Sequence, residues 1–473
     1  MTDIFWFPVC LAVLYYILKK RADSYQDPWL RQIYYRAFAF KVICVIAFTM
    51  ITAFYFKGGD TALYYQASKD MKAAIADDPD NFWELMKSSK LSFDSPLFNF
   101  FLYDNYAMDI TYAYMLASNN FLPPKLAVIP SYLFGGSYIS LNLVFGFFAL
   151  AGSIRLFKSF YYFFPSARRE LAFACLFLPG VAFWSAGLLK DPITFGCMGF
   201  MLYAFINIFY RKRKYASSIA WLLICGYFLF TIKIYILLVL VFAIMFWVFA
   251  EINRLIRDKT LRNIFTVMTI GLAIGAGIGM LTYVTTFEQA QQFKLDTLIG
   301  SIEKERQEYD RLAQYQDVGS NFSINSSNPV LLFLNAIVAT FFRPFLWEIS
   351  SPIVLLSALE SLLFLVITLI FFFKKGVGKF FSIPYSDGRL MFCLVFAFAF
   401  AVAVGSATGN FGTLSRYKIP CTPFYLILIF LLYGKTNLKY PKWLNAIIDF
   451  AVPKKLDKQV THVRHSRVYQ PQP

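Results

Sequence analysis

Charge and histidine are what this chain has little of. Asp, Glu, Lys and Arg together make up 15% of the 473 residues, where soluble domains carry about 25%, so a water-soluble globular protein is excluded. The two histidines, His462 and His465, both stand in the polar stretch after the last apolar run. That placement argues against a histidine-based triad, a haem or an intramembrane zinc site. The seven cysteines, at 10, 44, 175, 197, 225, 393 and 421, are single, without a CxxC pair, and nearly all lie in apolar runs. They read as small hydrophobes and not as a disulfide framework or metal set.

What the chain has is apolar surface: 58% hydrophobic residues, 20% aromatics, and 55 Phe against 45 Lys plus Arg. Runs of about membrane-spanning length occupy 4–18, 36–56, 138–157, 170–186, 192–210, 216–232, 234–251, 263–285, 351–373, 389–405 and 418–434. The expected fold is therefore all-α, a polytopic transmembrane bundle of about 11 spanning helices with outer interfacial helices. Run 4–18 is followed by Lys19-Lys20-Arg21 without a small-residue cleavage site, which suits a retained helix better than a cleaved signal. The net charge of +17 belongs to cytoplasmic loops of a membrane protein, not to nucleic-acid binding.

Basic clusters orient these runs. Lys19 to Arg36, Arg155 to Arg169, Arg211 to Lys214, Arg254 to Arg262 and Lys374 to Arg389 should face the cytoplasm. Loops 57–137 (nine acidic, six basic residues) and 287–328 (seven acidic, four basic) belong outside. All of this agrees if the N-terminus is outside and 330–348 does not cross. That segment should lie in or dip into the outer interface, since about 13 apolar residues end at Arg343-Pro344. A full crossing there would reverse the last third of the chain and leave Lys374, Lys375 and Lys379 outside. The domain so defined is 1–451, with outer loops at 57–137 and 287–348, and 452–473 is a basic, disordered cytoplasmic tail. In the first outer loop, 61–75 and 98–116 suit helices lying along the membrane surface, and 287–318 suits a solvated helix.

Four outer elements carry polar groups at membrane depth. Gly58-Gly59-Asp60 leaves the second span, and its carboxylate suits a general base or metal ligand, or else caps the helix from Thr61. Lys190-Asp191 follows an apolar run broken by Pro179-Gly180; the pair is either functional or a tight hairpin. Arg343-Pro344-Phe345-Leu346-Trp347-Glu348 offers a guanidinium able to clamp a phosphate, or an internal ion pair with Glu348. Gly405 to Pro420 combines small residues with Arg416 and Lys418 and suits a phosphate nest, although Lys418 equally suits snorkelling. Glu360, deeper in its helix, should face the bundle interior. The charge rule puts all four elements at one outer surface, where acidic and cationic groups beside apolar helices suit a ligand with an anionic head and a greasy tail.

Gly-Gly-Asp-Thr with Tyr64-Tyr65, the Pro, Phe-Trp-Ser and Lys-Asp stretch, Arg-Pro-Phe with Trp-Glu, and Asn-Phe-Gly-Thr with Arg-Tyr and Pro resemble bacterial multi-spanning envelope proteins. These are distantly similar to the GT-C glycosyltransferases and polysaccharide polymerases. The resemblance covers about 57–433. It implies a transferase in the bacterial inner membrane that uses a polyprenyl-phosphate-linked sugar at the outer face for envelope glycan assembly. It implies Asp60 as base or metal ligand, with a divalent cation as the cofactor this role admits, and Asp191 as second-loop carboxylate with Lys190 beside it. Arg416 would stand near the donor phosphates. The N-terminal run 4–18 and the lack of a large soluble domain after the last helix depart from that pattern. A polymerase or ligase using the same lipid-diphosphate leaving group, or a lipid-substrate flippase, are the rival readings.

Overall fold

The computed structural model describes residues 2–102, 108–258, 322 and 329–452, with scattered positions between 260 and 279. The expected span 263–285, the polar stretch 287–318 and the tail with His462 and His465 lie almost wholly outside the described residues. Every regular element among those described is helical.

Among the described residues, seven helical runs are long and apolar enough to cross a membrane, and the chain is an integral membrane protein. They are α1 (Thr2–Asp23), α2 (Pro28–Met50), which continues through a π-helical turn to Phe56, α8 (Tyr138–Phe163), α11 (Lys190–Phe209), α12 (Tyr215–Leu255), α14 (Pro352–Lys375) and α16 (Gly388–Ala407). Their outward faces carry exposed Ile4, Tyr16, Leu223 and Phe373, as lipid requires. The described part of the segment between α2 and α8 carries five helices: α3 (Asp60–Asp77), α4 (Asn81–Lys87), α5 (Phe98–Leu102), α6 (Met108–Met115) and α7 (Ser118–Leu133).

Three places among the expected runs need the structure to be read correctly. First, 170–186 is not one span. It is α9 (Arg168–Leu176) and α10 (Pro179–Trp184), followed by an irregular buried stretch from Ser185 to Leu189. Proline at 179 lacks an amide hydrogen and cannot continue the ladder. The freed backbone groups find side chains on other helices. Glu360 accepts from the Gly180 N–H at 2.5 Å, Asn142 accepts from Leu188 N–H at 2.7 Å, and Lys41 Nζ donates to the Ala182 and Ser185 carbonyls at 2.8 and 3.3 Å. Non-helical backbone at membrane depth persists only when satisfied in this way.

Second, the expected runs 216–232 and 234–251 are two arms, joined in the single helical run α12 through non-helical backbone at Lys233 (φ −146°, ψ 75°). The chain reverses there. Trp221 packs on Phe200 with ring centroids 4.1 Å apart and Lys233 reaches Asp191, yet Trp247 packs on Phe205 and Tyr210 at 5.6 and 5.4 Å. A straight helix would separate Trp221 from Trp247 by about 39 Å, at 1.5 Å per residue. Positions 200 and 210 of the α11 they touch are about 15 Å apart by the same measure. The two halves therefore lie side by side against α11.

Third, 418–434 is the second arm of a pair, α17 (Phe411–Tyr417) and α18 (Thr422–Lys435), bent by 67°. The apolar helix α13 (Pro329–Phe342), too short for the seven, dips between the others. Ala336 faces Gly405 and Thr340 Oγ1 donates to the Ala401 carbonyl at 3.0 Å, so α13 runs antiparallel to α16. Two short helices complete the described chain, α15 (Val377–Tyr385) and α19 (Lys442–Ala451).

The core helices approach closely through small residues. A Cβ on Gly152 of α8 or Gly199 of α11 would strike the facing helix's backbone, the small-residue contact expected between membrane helices. Cations gather at one end of the bundle. There Arg211 donates to the Lys158 carbonyl at 3.1 Å, Arg389 and Lys435 pair with Asp387 at 2.7 and 2.9 Å, Arg169 pairs with Asp449, and Arg168 lies over Trp29. Asp60, Lys190, Lys233 and Arg416 lie at the opposite end.

Candidate functional site

The site is built on three helix ends. Lys57, at φ 51°, and Gly59, at φ 85°, turn the chain sharply out of α2, a conformation glycine adopts without the Cβ penalty. α3 then begins at Asp60 itself; its N-cap is Gly59 and has no side-chain cap bond. The capping role considered for Asp60 therefore does not hold, and the carboxylate is turned elsewhere. Asp191 stands second in α11, one residue before Pro192, and Arg416 stands in the last turn of α17. Carboxylates in a helix's first turn and a cation in a last turn complement the helix dipoles.

These ends meet. Arg416 Nη1 donates to Asp60 Oδ2 at 2.6 Å, and Arg416 Nε donates to Asp191 Oδ2. Lys233 Nζ donates to the other Asp191 oxygen at 2.5 Å and lies 4.5 Å from the Tyr417 ring centroid. Lys190 neighbours Asp60, Asp191, Lys233 and Arg416 electrostatically. Residues 356 apart in sequence are thus hydrogen-bonded. The cluster brings three basic side chains to two carboxylates.

Access is graded. The Asp191 side chain is 2% exposed and that of Lys233 9%, whereas Arg416 is 16% and Asp60 33% exposed. Tyr114, from α6, donates its hydroxyl to Asp60 Oδ1 at 2.8 Å, and its ring packs on Tyr64. Burial by itself raises the Asp60 carboxyl, but the Arg416 guanidinium, then the Tyr114 hydroxyl and the Lys190 charge, outweigh it and hold the group below the ordinary carboxylate range. Burial and the Asp60 charge push the Tyr114 phenol well above its ordinary value, so it remains a donor.

The other sequence-selected residues form a second group. Arg343 pairs with Glu348 through both Nε and Nη2, and Glu348 also accepts from the Phe345 N–H at 2.8 Å. The guanidinium lies against the Phe322 and Phe411 rings at 4.8 and 5.1 Å. Lys418 is 2% exposed and turned inward, donating to Ser361 Oγ at 2.9 Å and the Arg343 carbonyl at 3.3 Å. It does not snorkel; it ties α14 to the end of α13. Arg343, Glu348 and Lys418 are engaged with one another's elements, while Asp60, Lys190, Asp191 and Arg416 form the open cluster.

Lys233, Tyr114 and Lys41 escaped the sequence reading. Lys233 and Lys41 each stand alone in an apolar run, which marks an intramembrane cation as a site candidate by default; Tyr114, one of 30 tyrosines, carried no signal. A metal does not fit the cluster. Both Asp60 oxygens accept from Arg416 and Tyr114, both Asp191 oxygens accept from Arg416 and Lys233, and three basic side chains crowd the space. Among the described residues no three His, Cys, Asp or Glu side chains come together as a metal set. No family model, curated protein or solved structure matches the chain.

Proposed function

We propose that the protein is a GT-C-like membrane glycosyltransferase that takes a sugar from a polyprenyl-phosphate carrier and places it on an acceptor hydroxyl during envelope glycan assembly. The observation carrying this reading is the Arg416 guanidinium held between Asp60 and Asp191, with Lys190 and Lys233 beside it, at one end of a bundle whose flanks face lipid. A cationic cluster next to hydrocarbon suits a phosphate on an isoprenoid tail. The positive-inside tendency assigns the opposite, basic end to the cytoplasm and this cluster to the outer face. A bacterial inner membrane and a cytoplasmic C-terminus follow from the same reading.

In the reaction, an Asp60 oxygen accepts the proton of the acceptor hydroxyl. The acceptor's own oxygen, relieved of that proton, forms the new bond to the anomeric carbon of the sugar. The bond from that carbon to the phosphate oxygen breaks, and its electron pair leaves with the phosphate. Arg416 and Lys190 stabilise the charge growing there. Asp191 and Lys233 hold Arg416 in place from the buried side. Arg343, closed off by Glu348, and Lys418, buried on Ser361, position α13 and α14 behind the cluster.

Donor-dependent sugar transfer in proteoliposomes tests this. Asp60→Asn and Arg416→Ala should each lose at least about 100-fold in rate, the usual loss for a general base or a charge-stabilising donor, while still inserting in the membrane. Wild-type-like transfer in both would refute the reading. A polymerase or ligase uses the same leaving group and is separated by deletion phenotype: single-repeat glycans point to it, loss of one sugar to a transferase. The broken α9–α10 segment favours a second reading, a flippase, because discontinuous helices line many transport sites. Movement of a fluorescent polyprenyl phosphate between leaflets without any sugar transfer would select it.

A further inference from the structure

We infer that Asp60 occupies, in the resting protein, the guanidinium edge that the phosphate of a lipid-linked ligand takes, so that ligand binding displaces Asp60 from Arg416. This rests on reading the cluster as a phosphate site and adds an order of binding to it. The two carboxylates on Arg416 are not equivalent. Asp191 takes Nε, is 2% exposed, and is held a second time by Lys233. It is a fixed partner that aims the guanidinium. Asp60 takes Nη1, is 33% exposed, and is the first residue of its helix.

The chain before Asp60 has room to move. Gly59 stands at φ 85° with no atom within 4 Å of where a Cβ would be, and beside Gly58 the nearest such atom is the Phe56 carbonyl oxygen at 4.0 Å. Tyr114 donates to Asp60 from a different helix, so a carboxylate leaving Arg416 keeps one hydrogen bond and stays at the site. Exchange of one anion for another leaves the partly buried guanidinium paired throughout, and a phosphate matches its fork as well as a carboxylate does. Once off the guanidinium, Asp60 is the stronger base. The phosphate ligand therefore binds before the hydroxyl acceptor, and no base is exposed until the donor is in place.

The test depends on the sign of an affinity change. Binding of farnesyl phosphate to the purified full chain in detergent is measured for wild type, Asp60→Asn and Asp60→Ala, with farnesol and inorganic phosphate as parallel ligands. Removing the competing carboxylate should tighten farnesyl phosphate binding about fivefold in both variants, the value of a partly exposed ion pair, with farnesol unaffected. Inorganic phosphate should bind at least about tenfold more weakly than farnesyl phosphate, since it lacks apolar area to bury. Unchanged or weaker binding in the two variants, or no binding to wild type, overturns the inference. Inorganic phosphate binding as tightly as the prenyl form overturns its lipid half. Tightened binding in a protein that transfers no sugar leaves the displacement standing and removes the transferase reading; lost transfer with unchanged binding does the reverse.

Discussion

Asp191→Asn keeps the shape of the side chain at the centre of the cluster and removes its charge. In the native protein this carboxylate, 2% exposed, accepts from both Arg416 and Lys233. Breaking one member of a buried pair costs about 3–5 kcal/mol, because the partner's charge is left desolvated and uncompensated. Arg416 keeps Asp60, so the orphaned charge is mainly Lys233, 9% exposed, and the lower end of the range applies, about 3 kcal/mol. Asp60→Asn, at a carboxylate one-third exposed, should cost only about 1 kcal/mol. The difference of about 2 kcal/mol corresponds to roughly 30-fold in the folded-to-unfolded ratio. All seven cysteines are buried, so a thiol-reactive dye added during heating in detergent reports unfolding directly. Adding Lys233→Met to Asp191→Asn removes the orphaned cation and should recover part of the loss, the non-additivity expected of residues in contact. The reasoning fails if Asp191→Asn melts no earlier than Asp60→Asn, or if the double variant is the sum of the singles.

Three further outcomes follow from the geometry. The Asp60 carboxyl is held below its ordinary value, so its pairing stabilises the protein fully above the ordinary carboxylate range and is lost as pH falls through the folded value; the melting difference between wild type and Asp60→Asn should be constant near neutrality and vanish in acid, and a difference growing in acid would contradict it. Gly199→Ala should cost about 1–3 kcal/mol by pushing α11 off α8, read by the same dye assay, whereas Gly226→Ala, with open space around it, should not destabilise. Glu360→Gln retains an oxygen for the Gly180 N–H and should be mild, while Glu360→Leu leaves that buried amide unmet and should cost about 1–3 kcal/mol; equal effects would mean that the charge, not the acceptor, matters there.

Composition and apolar run length were enough to read an all-helical membrane protein, because a bilayer demands about 20 apolar residues per crossing whatever their order. They also located Asp60, Lys190, Asp191 and Arg416, since a charge at the end of an apolar run is conspicuous in one dimension. Run length could not separate α9 and α10 from a continuous span. What sustains that break is Glu360, Asn142 and Lys41 reaching across from other helices, and hydrogen bonds between remote residues leave no periodicity in the sequence. The division of the cations was only partly legible. The sequence left Arg343 open between a phosphate and Glu348, and Lys418 between a nest and snorkelling; packing gave Arg343 to Glu348, Lys418 to Ser361, and Arg416 to two carboxylates of unequal exposure. Which polar groups a membrane helix must place in protein is a matter of solvation and local to each residue; which partner each one meets depends on how distant helices pack, and that was decided in three dimensions.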